Sequence, residues 1–137
     1  MKGYLLELVC FKKIHMVILM QTDLAAGVVF YQKLGLNLKF HLKNKWAEFE
    51  LGEVKLGLFP GNERQEWRTG IVFEIDDIKR LYEKMNDGIE FVGEPIEKIH
   101  GIMVSIKDPN GNIVDLYQPT PNKLREFIKE VKEKDMS

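Results

Sequence analysis

The predicted order of secondary structure in this 137-residue chain occurs twice, and this repetition constrains the fold more than any other feature. An apolar strand signal at residues 14–20 is followed by Thr22 and Asp23, either of which can cap a helix, and then by a helical pattern and three strand-like runs. Residues 71–117 repeat the order, with Asp76 or Asp77 as the helix cap. The sequence therefore predicts two strand–helix–strand–strand–strand (βαβββ) modules.

Each predicted module has a single helix, which cannot cover both faces of a four-stranded sheet. Pairing of the two modules, within one chain or between two chains, would bury the remaining apolar surface. We therefore predict an α+β fold in which tandem βαβββ modules form a curved mixed sheet with a concave cavity, followed by a C-terminal amphipathic helix. The predicted boundaries within this one domain are an N-terminal extension at 1–13, modules at 14–60 and 69–118, a linker at 61–68 and the C-terminal helix at 119–137.

Composition excludes several classes of partner. The chain has 20 Lys and Arg against 21 Asp and Glu, without a basic face, so nucleic acid is not expected. Cys10 has no second cysteine to pair with, which indicates a reducing compartment, and its apolar neighbours predict a packed thiol. The apolar segment 3–11 contains Glu7 and is too short to span a bilayer, so it predicts an extra helix or strand. We expect a cytoplasmic protein that does not bind a membrane.

The segment from Asp108 to Asn112 reads Asp-Pro-Asn-Gly-Asn, which predicts a tight turn between two strands. The strand that follows, residues 113–117, alternates between two faces and carries Asp115 among apolar residues. A carboxylate in that setting requires a cation, a metal or hydrogen-bond donors. The partner of Asp115 is therefore a central question for function.

Four segments together resemble the glyoxalase, bleomycin-resistance and ring-cleaving dioxygenase superfamily, also called the vicinal oxygen chelate family. The resemblance spans residues 14–119, and the segments are Asp23-Leu24 with Phe30-Tyr31-Gln32-Lys33-Leu34-Gly35-Leu36, Phe73-Glu74-Ile75-Asp76-Asp77-Ile78, Glu94-Pro95, and Asp108-Pro109-Asn110-Gly111-Asn112. It implies the paired-module fold. In enzymes of that family it also implies a divalent metal on the concave face, held by a His or Glu from each of four strands.

The residues at those four positions differ from the family pattern. The resemblance places them at Met16, Gly57, Gly70 and Asp115, and only Asp115 offers a hard oxygen ligand. We therefore expect no cofactor. A metal would require a rebuilt site from His15, Glu74 and Asp115, although His15 is one residue from the family position and so faces the other side of a strand.

The register implied by the resemblance assigns two faces to the strands. The helix-packing face is almost wholly aliphatic and aromatic, as expected of a core: Val17, Leu19, Ala47, Phe49, Leu51, Leu56, Leu58, Ile71, Phe73, Ile75, Val104, Ile106, Val114 and Leu116. The opposite face mixes aromatic, methionine and acidic residues, which suits an organic ligand with a flat part and a cationic group. The predicted ligand-binding residues are Met16, Trp46, Glu48, Phe59, Glu74, Met103, Asp115 and Tyr117.

Simpler interpretations of these residues remain open. The methionines fill gaps under an interface as often as they bind ligands. Glu48 and Glu74 could instead pair with Lys55 or Lys107 across strands.

Three functional hypotheses follow. The first is a homodimer that lacks the family metal and binds a small organic molecule in the concave cavity, like the bleomycin-resistance branch. The second is a glyoxalase-like metal-dependent lyase or isomerase, or a dioxygenase, with a rebuilt site. The third is a protein-interaction module with a vestigial cavity.

Overall fold

The structure is a computed structural model that describes residues 9–61, 63–85 and 88–136. The predicted extra element at residues 3–11 lies mostly outside the described residues. The elements, in chain order, are β1 Met16–Gln21, α1 Leu24–Lys33, β2 Asn37–Leu42, β3 Trp46–Leu51, β4 Val54–Pro60, β5 Trp67–Glu74, α2 Ile78–Met85, β6 Glu90–Lys98, β7 Gly101–Lys107, β8 Asn112–Pro119 and α3 Pro121–Met136.

The eight strands form two four-stranded mixed sheets, one from each module. The strand orders are β1-β4-β3-β2 and β5-β8-β7-β6. In each sheet the first pair, β1 with β4 or β5 with β8, is parallel, and the other pairs are antiparallel. The two βαβββ modules and the C-terminal helix are therefore confirmed. No helix in the described part of the chain is long and apolar enough to cross a membrane.

Both module helices begin at the aspartates that the sequence indicates. Asp23 Oδ1 accepts a hydrogen bond from the Ala26 amide at 3.1 Å, and Asp77 Oδ1 accepts one from the Arg80 amide at 3.0 Å. Each bond satisfies an amide that has no partner within the first turn of its helix. Asp77, rather than Asp76, therefore caps α2.

The predicted helix-packing face is confirmed as the core. Tyr31 and Ile78, one from each module helix, are fully buried with it. Of the fourteen predicted residues, ten are buried and four pack against them at partial exposure, the four being Val17, Leu51, Ile71 and Ile75. The opposite face of each sheet, which no helix of its own module covers, is called the open face below.

Asp108 is more deeply buried than Asp115 and has more hydrogen-bond donors around it. Only 2 % of Asp108 is exposed, and its oxygens accept five hydrogen bonds, from Gln21 Nε2 (2.7 Å), Tyr31 Oη (2.8 Å), the Asn110 amide (2.8 Å), the Asn112 amide (3.0 Å) and Asn112 Nδ2 (2.9 Å). Gln21 and Tyr31 belong to the first module, so Asp108 joins the two modules. Burial, followed by the charge of Asp108 and the hydrogen bond to it, raises the pKa of Tyr31 far above its ordinary value.

Two features differ from the sequence predictions. The sequence pattern predicts a strand at residues 89–92, but β6 runs to Lys98, because a bulge that contains Gly93 at φ +87° lets the strand continue along β7. The expectation that Cys10 is packed is wrong: it is exposed, since residues 9–15 form no helix or strand that would bury it.

Candidate functional site

The open face of the first sheet is an aromatic surface at the position where the resemblance implies metal ligands. Trp46 from β3 lies across Gly57 of β4, so closely that a Cβ atom on Gly57 would stand 2.7 Å from Trp46 Cζ2 and 3.2 Å from Met16 Sδ. Phe59 meets Trp46 edge to face, with ring centroids 6.1 Å apart. The absence of a side chain at Gly57 is what allows the indole to lie there.

Glu48 lies beneath this aromatic surface and is already compensated by two cations. Only 7 % of the residue is exposed. Its Oε2 is 3.6 Å from Lys55 Nζ and 3.7 Å from Lys39 Nζ, and Trp46 Nε1 donates to its Oε1 at 3.4 Å. The alternative that Glu48 pairs with Lys55 across strands is therefore confirmed, and Glu48 is poorly placed to receive a cationic ligand.

On the open face of the second sheet, Asp115 is held by Ser105 and Arg68. Ser105 Oγ donates to Asp115 Oδ1 at 2.6 Å, and Arg68 Nη1 lies 3.5 Å from the same oxygen. Arg68 Nη1 also donates to Ser105 Oγ at 3.3 Å. The Asp115 side chain is 30 % exposed. The partner that its apolar setting requires is Arg68, a cation of the chain itself. We call these three residues the Arg68 cluster.

A bulge in β5 brings Arg68 to Asp115. Arg68 is opposite Ile113 and Val72 is opposite Asp115, so residues 69–71 of β5 stand against the single residue Val114 of β8. Gly70 takes φ +78° within the bulge, while Thr69 Oγ1 donates to the Ile113 carbonyl at 2.9 Å. The sequence interpretation missed Arg68, although an isolated glycine in a strand pattern is a known signal of a bulge.

The remaining predicted residues of the second sheet form one row across three strands. Glu74, Tyr117 and Met103 are register partners on β5, β8 and β7. Tyr117 Oη donates to the His100 carbonyl at 2.8 Å and lies 3.1 Å from His100 Nδ1. Glu74 is exposed and has no ion pair within the described part of the chain.

The structure thus divides the eight predicted ligand-binding residues into two groups. Met16, Trp46, Glu48 and Phe59 lie on the first sheet, and Glu74, Met103, Asp115 and Tyr117 lie on the second. Each contact described above links residues of the same sheet. The site is therefore better described as two surfaces, an aromatic one on the first sheet and a polar one on the second.

The residues present do not fit the metal that the resemblance implies. Met16 and Trp46 fill the space beside Gly57, and Asp115 is held by Arg68. Residues 9–61, 63–85 and 88–136 contain no group of three His, Cys, Asp or Glu side chains that could hold a metal ion. His15 is exposed just before β1 and belongs to no such group within these residues.

A separate cleft of about 710 Å³ lies on the helix side, between the two modules. Its apolar lining includes Leu36, Phe73 and Leu116, and Arg80 and Lys84 of α2 lie at its rim. Glu74 is the one predicted ligand-binding residue that borders it. The other seven belong to the open faces and not to this cleft.

Comparisons with known proteins agree with the fold. The sequence model described as the Glyoxalase/Bleomycin resistance protein/Dioxygenase superfamily matches residues 13–116. YetH of Bacillus subtilis (strain 168), described as uncharacterized, is 40 % identical over 70 residues, which are 50 % of this chain and 57 % of YetH. The match therefore spans little more than half the length of that relative.

Solved structures with the same fold include proteins of different activities. TnmS3, an antibiotic binding protein from Streptomyces sp. CB03234, superposes with a TM-score of 0.63 at 20 % identity, covering 82 % of this chain and 99 % of TnmS3. FosX, a fosfomycin resistance protein from Listeria monocytogenes, gives 0.67 at 19 % identity, covering 82 % and 98 %. Lactoylglutathione lyase from Agrobacterium tumefaciens gives 0.61 at 23 % identity, covering 77 % and 92 %.

Proposed function

Because this chain belongs to the glyoxalase, bleomycin-resistance and dioxygenase superfamily, we propose that it is a member without the family's metal site and that it binds a small organic molecule on its open faces. The observation that carries the proposal is the indole of Trp46 lying across Gly57. A position where the resemblance implies a metal ligand is occupied here by an aromatic ring.

The chemistry of the open face of the first sheet supports an apolar, flat ligand. Phe59 and Met20 are 47 % and 43 % exposed beside Trp46, so a contacting molecule would remove aromatic and thioether surface from water. Methionine side chains adapt to ligands of differing shape. Since Glu48 is already paired with two lysines, apolar contact is the main attraction that this face offers.

We further propose that a second copy of the chain completes the site. Large apolar side chains on the open faces are more than one third exposed, which is costly for a surface that meets only water. They are Ile18, Met20, Phe40, Leu42, Phe59, Val72 and Ile96. Sedimentation velocity should give the mass of a homodimer, and a strictly monomeric chain would contradict this part of the proposal.

The relatives provide support at the level of similarity. TnmS3 is described as an antibiotic binding protein and FosX as a fosfomycin resistance protein, so proteins of this fold do act on small organic molecules. The identities of 20 % and 19 % carry the fold and not the ligand.

Tryptophan fluorescence tests the proposal directly. In a Trp67→Phe variant, Trp46 is the sole tryptophan and reports on the open face of the first sheet. We expect saturable quenching by at least one compound in a panel of flat aromatic molecules that includes neutral, cationic and anionic examples. Phe59→Ala should weaken that binding, because it removes one wall of the aromatic surface.

Val29→Ala is the matched control, since Val29 is 59 % exposed on α1, on the helix side of the first sheet. It should leave the affinity unchanged. Fluorescence that stays flat across the whole panel would contradict the proposal and would favour the interaction-module hypothesis. Stoichiometric divalent metal in protein purified without chelator, lost in an Asp115→Ala variant, would instead favour the metal-enzyme hypothesis.

A further inference from the structure

We infer that the Arg68 cluster receives an anionic oxygen group of the ligand, such as a carboxylate, phosphate or phosphonate. This inference rests on the proposed function, because it assigns the charged end of a molecule whose flat part contacts Trp46. It also reverses the charge expected from the sequence, where the acidic residues suggested a cationic ligand.

Arg68 has hydrogen-bonding capacity to spare. Its side chain is 64 % exposed, and the contacts to Asp115 and Ser105 use Nη1 alone. Within the described residues, Nε and Nη2 of Arg68 have no hydrogen bond or ion pair. A guanidinium carries five N–H donors in a planar fork that matches the two oxygens of a carboxylate or phosphate group. An anion can therefore bind the outer edge of Arg68 without displacing Asp115.

The Arg68 side chain is positioned rather than loose. The bulge that contains Gly70 moves Arg68 opposite Ile113. Asp115 on the adjacent strand β8 and Ser105 on β7, the next strand across, contact the same nitrogen of Arg68. An arginine fixed on one edge loses less side-chain entropy when it binds an anion with the other edge. Asp115 and Ser105 would thus act as positioning residues for Arg68.

The cluster lies where a bound molecule could reach it, on the open face of the second sheet. Asp115 is at a position where the resemblance implies a metal ligand, and in this chain the cation beside it is a guanidinium. The neighbouring cation, Lys107, is taken by Glu66 at 3.0 Å and Glu90 at 2.9 Å. Arg68 is paired with one carboxylate, whereas Lys107 is paired with two, so Arg68 is the better placed of the two cations to attract an anion.

A matched pair of probes tests this on the full chain. 2-Naphthoate and 2-naphthamide have the same flat ring system and differ in whether the polar group is an anion. Isothermal titration should show about tenfold tighter binding of the naphthoate, as expected for one charge-assisted contact. Arg68→Gln should abolish that preference, because the naphthoate loses its charged partner whereas the naphthamide has no charge to pair.

Two further variants separate a specific contact from general charge. Arg64→Gln removes an arginine that instead donates to the Pro109 carbonyl at 3.1 Å and lies 3.9 Å from Glu66, so the preference should persist. Ser105→Ala should reduce the preference without abolishing it, because Arg68 would lose one of its two positioning contacts. Circular dichroism of each variant checks that the fold is retained.

The outcomes distinguish this inference from the proposed function. If both compounds bind the wild-type chain equally, or if Arg68→Gln keeps the preference, the inference is overturned while ligand binding stands. If neither compound binds, methylphosphonate is titrated while the Arg68 Nε–Hε signal is followed by NMR, assigned by its loss in Arg68→Gln. A saturable shift then supports the anion site without the aromatic surface, and an unmoved signal overturns the inference.

Discussion

Asp108 and Asp115 stand seven positions apart in one module and illustrate two uses of a carboxylate. Asp108 is 2 % exposed and accepts five hydrogen bonds, two of which come from Gln21 and Tyr31 of the other module. Asp115 has a side chain that is 30 % exposed and is held by one hydroxyl and one guanidinium. Because a buried carboxylate must have its acceptors satisfied, Asp108 is committed to stability, whereas Asp115 remains available to a ligand through Arg68.

The same contrast explains where function can lie in this fold. When one partner of a buried polar network is removed, the remaining charged or polar atoms lose a hydrogen bond that water cannot replace. Substitutions at such positions are therefore strongly destabilising. An ion pair on an open face costs little to rearrange. We therefore look for ligand contacts around Asp115 and for folding defects around Asp108.

The largest effect should come from Asp108→Ala. It leaves Gln21, Tyr31 and Asn112 with buried donors that have lost their acceptor, which should cost about 3 kcal/mol or more of unfolding free energy. Urea denaturation measures this. The matched variant Asp115→Ala should cost no more than about 1 kcal/mol. Equal losses of unfolding free energy in the two variants would contradict the contrast between Asp108 and Asp115.

A smaller effect is expected from Tyr31→Phe, which tests the contribution of one donor to the Asp108 network. Loss of the phenolic donor to Asp108 should cost about 1–3 kcal/mol at neutral pH. The wild-type chain should also lose stability as the pH rises above 10.0, the ordinary pKa of a tyrosine. The unfolded chain then releases the Tyr31 proton, while the folded chain, with its raised pKa, keeps it.

In Tyr31→Phe this alkaline loss should be shallower, because the group with the raised pKa is gone. Urea midpoints measured at several pH values around 10.0 in both proteins would show the difference. Parallel pH profiles would mean that Tyr31 is not held protonated by its surroundings.

The smallest effect concerns salt and the Arg68 cluster. Asp115→Asn removes a partly exposed ion pair, so the destabilisation should be about 0.2–1 kcal/mol at low salt and should shrink towards zero at about 1 M salt. Denaturation at both salt concentrations measures it. A loss that salt leaves unchanged would place Asp115 with Asp108 as a structural residue.

Much of the fold was predictable from local patterns. Residue types narrow the helix caps to Thr22 or Asp23 and to Asp76 or Asp77, and the structure places the caps at Asp23 and Asp77. The core face of fourteen residues, which rests on the register that the family resemblance implies, is retained in the structure. The partner of Asp115 was not predictable, since Arg68 reaches it only through a bulge on a neighbouring strand.

The candidate site shows the same division. Alternation separates the two faces of each strand, and the register that the resemblance implies places Trp46, Phe59 and Asp115 on the face away from the helices, where the structure has them. It could not indicate that Trp46 lies over Gly57 or that Glu48 has two lysines beside it, because those contacts depend on how neighbouring strands are aligned.

Patterns in the chain were enough to predict the duplicated modules and their helices, and the family resemblance implies metal positions at Met16, Gly57 and Gly70, none of which offers a hard ligand. Only the folded chain shows which carboxylate joins the modules and which one contacts an arginine on an open face. The physical reason is that backbone direction and side-chain alternation are set by near neighbours in the chain, whereas charge compensation depends on residues that only folding brings together.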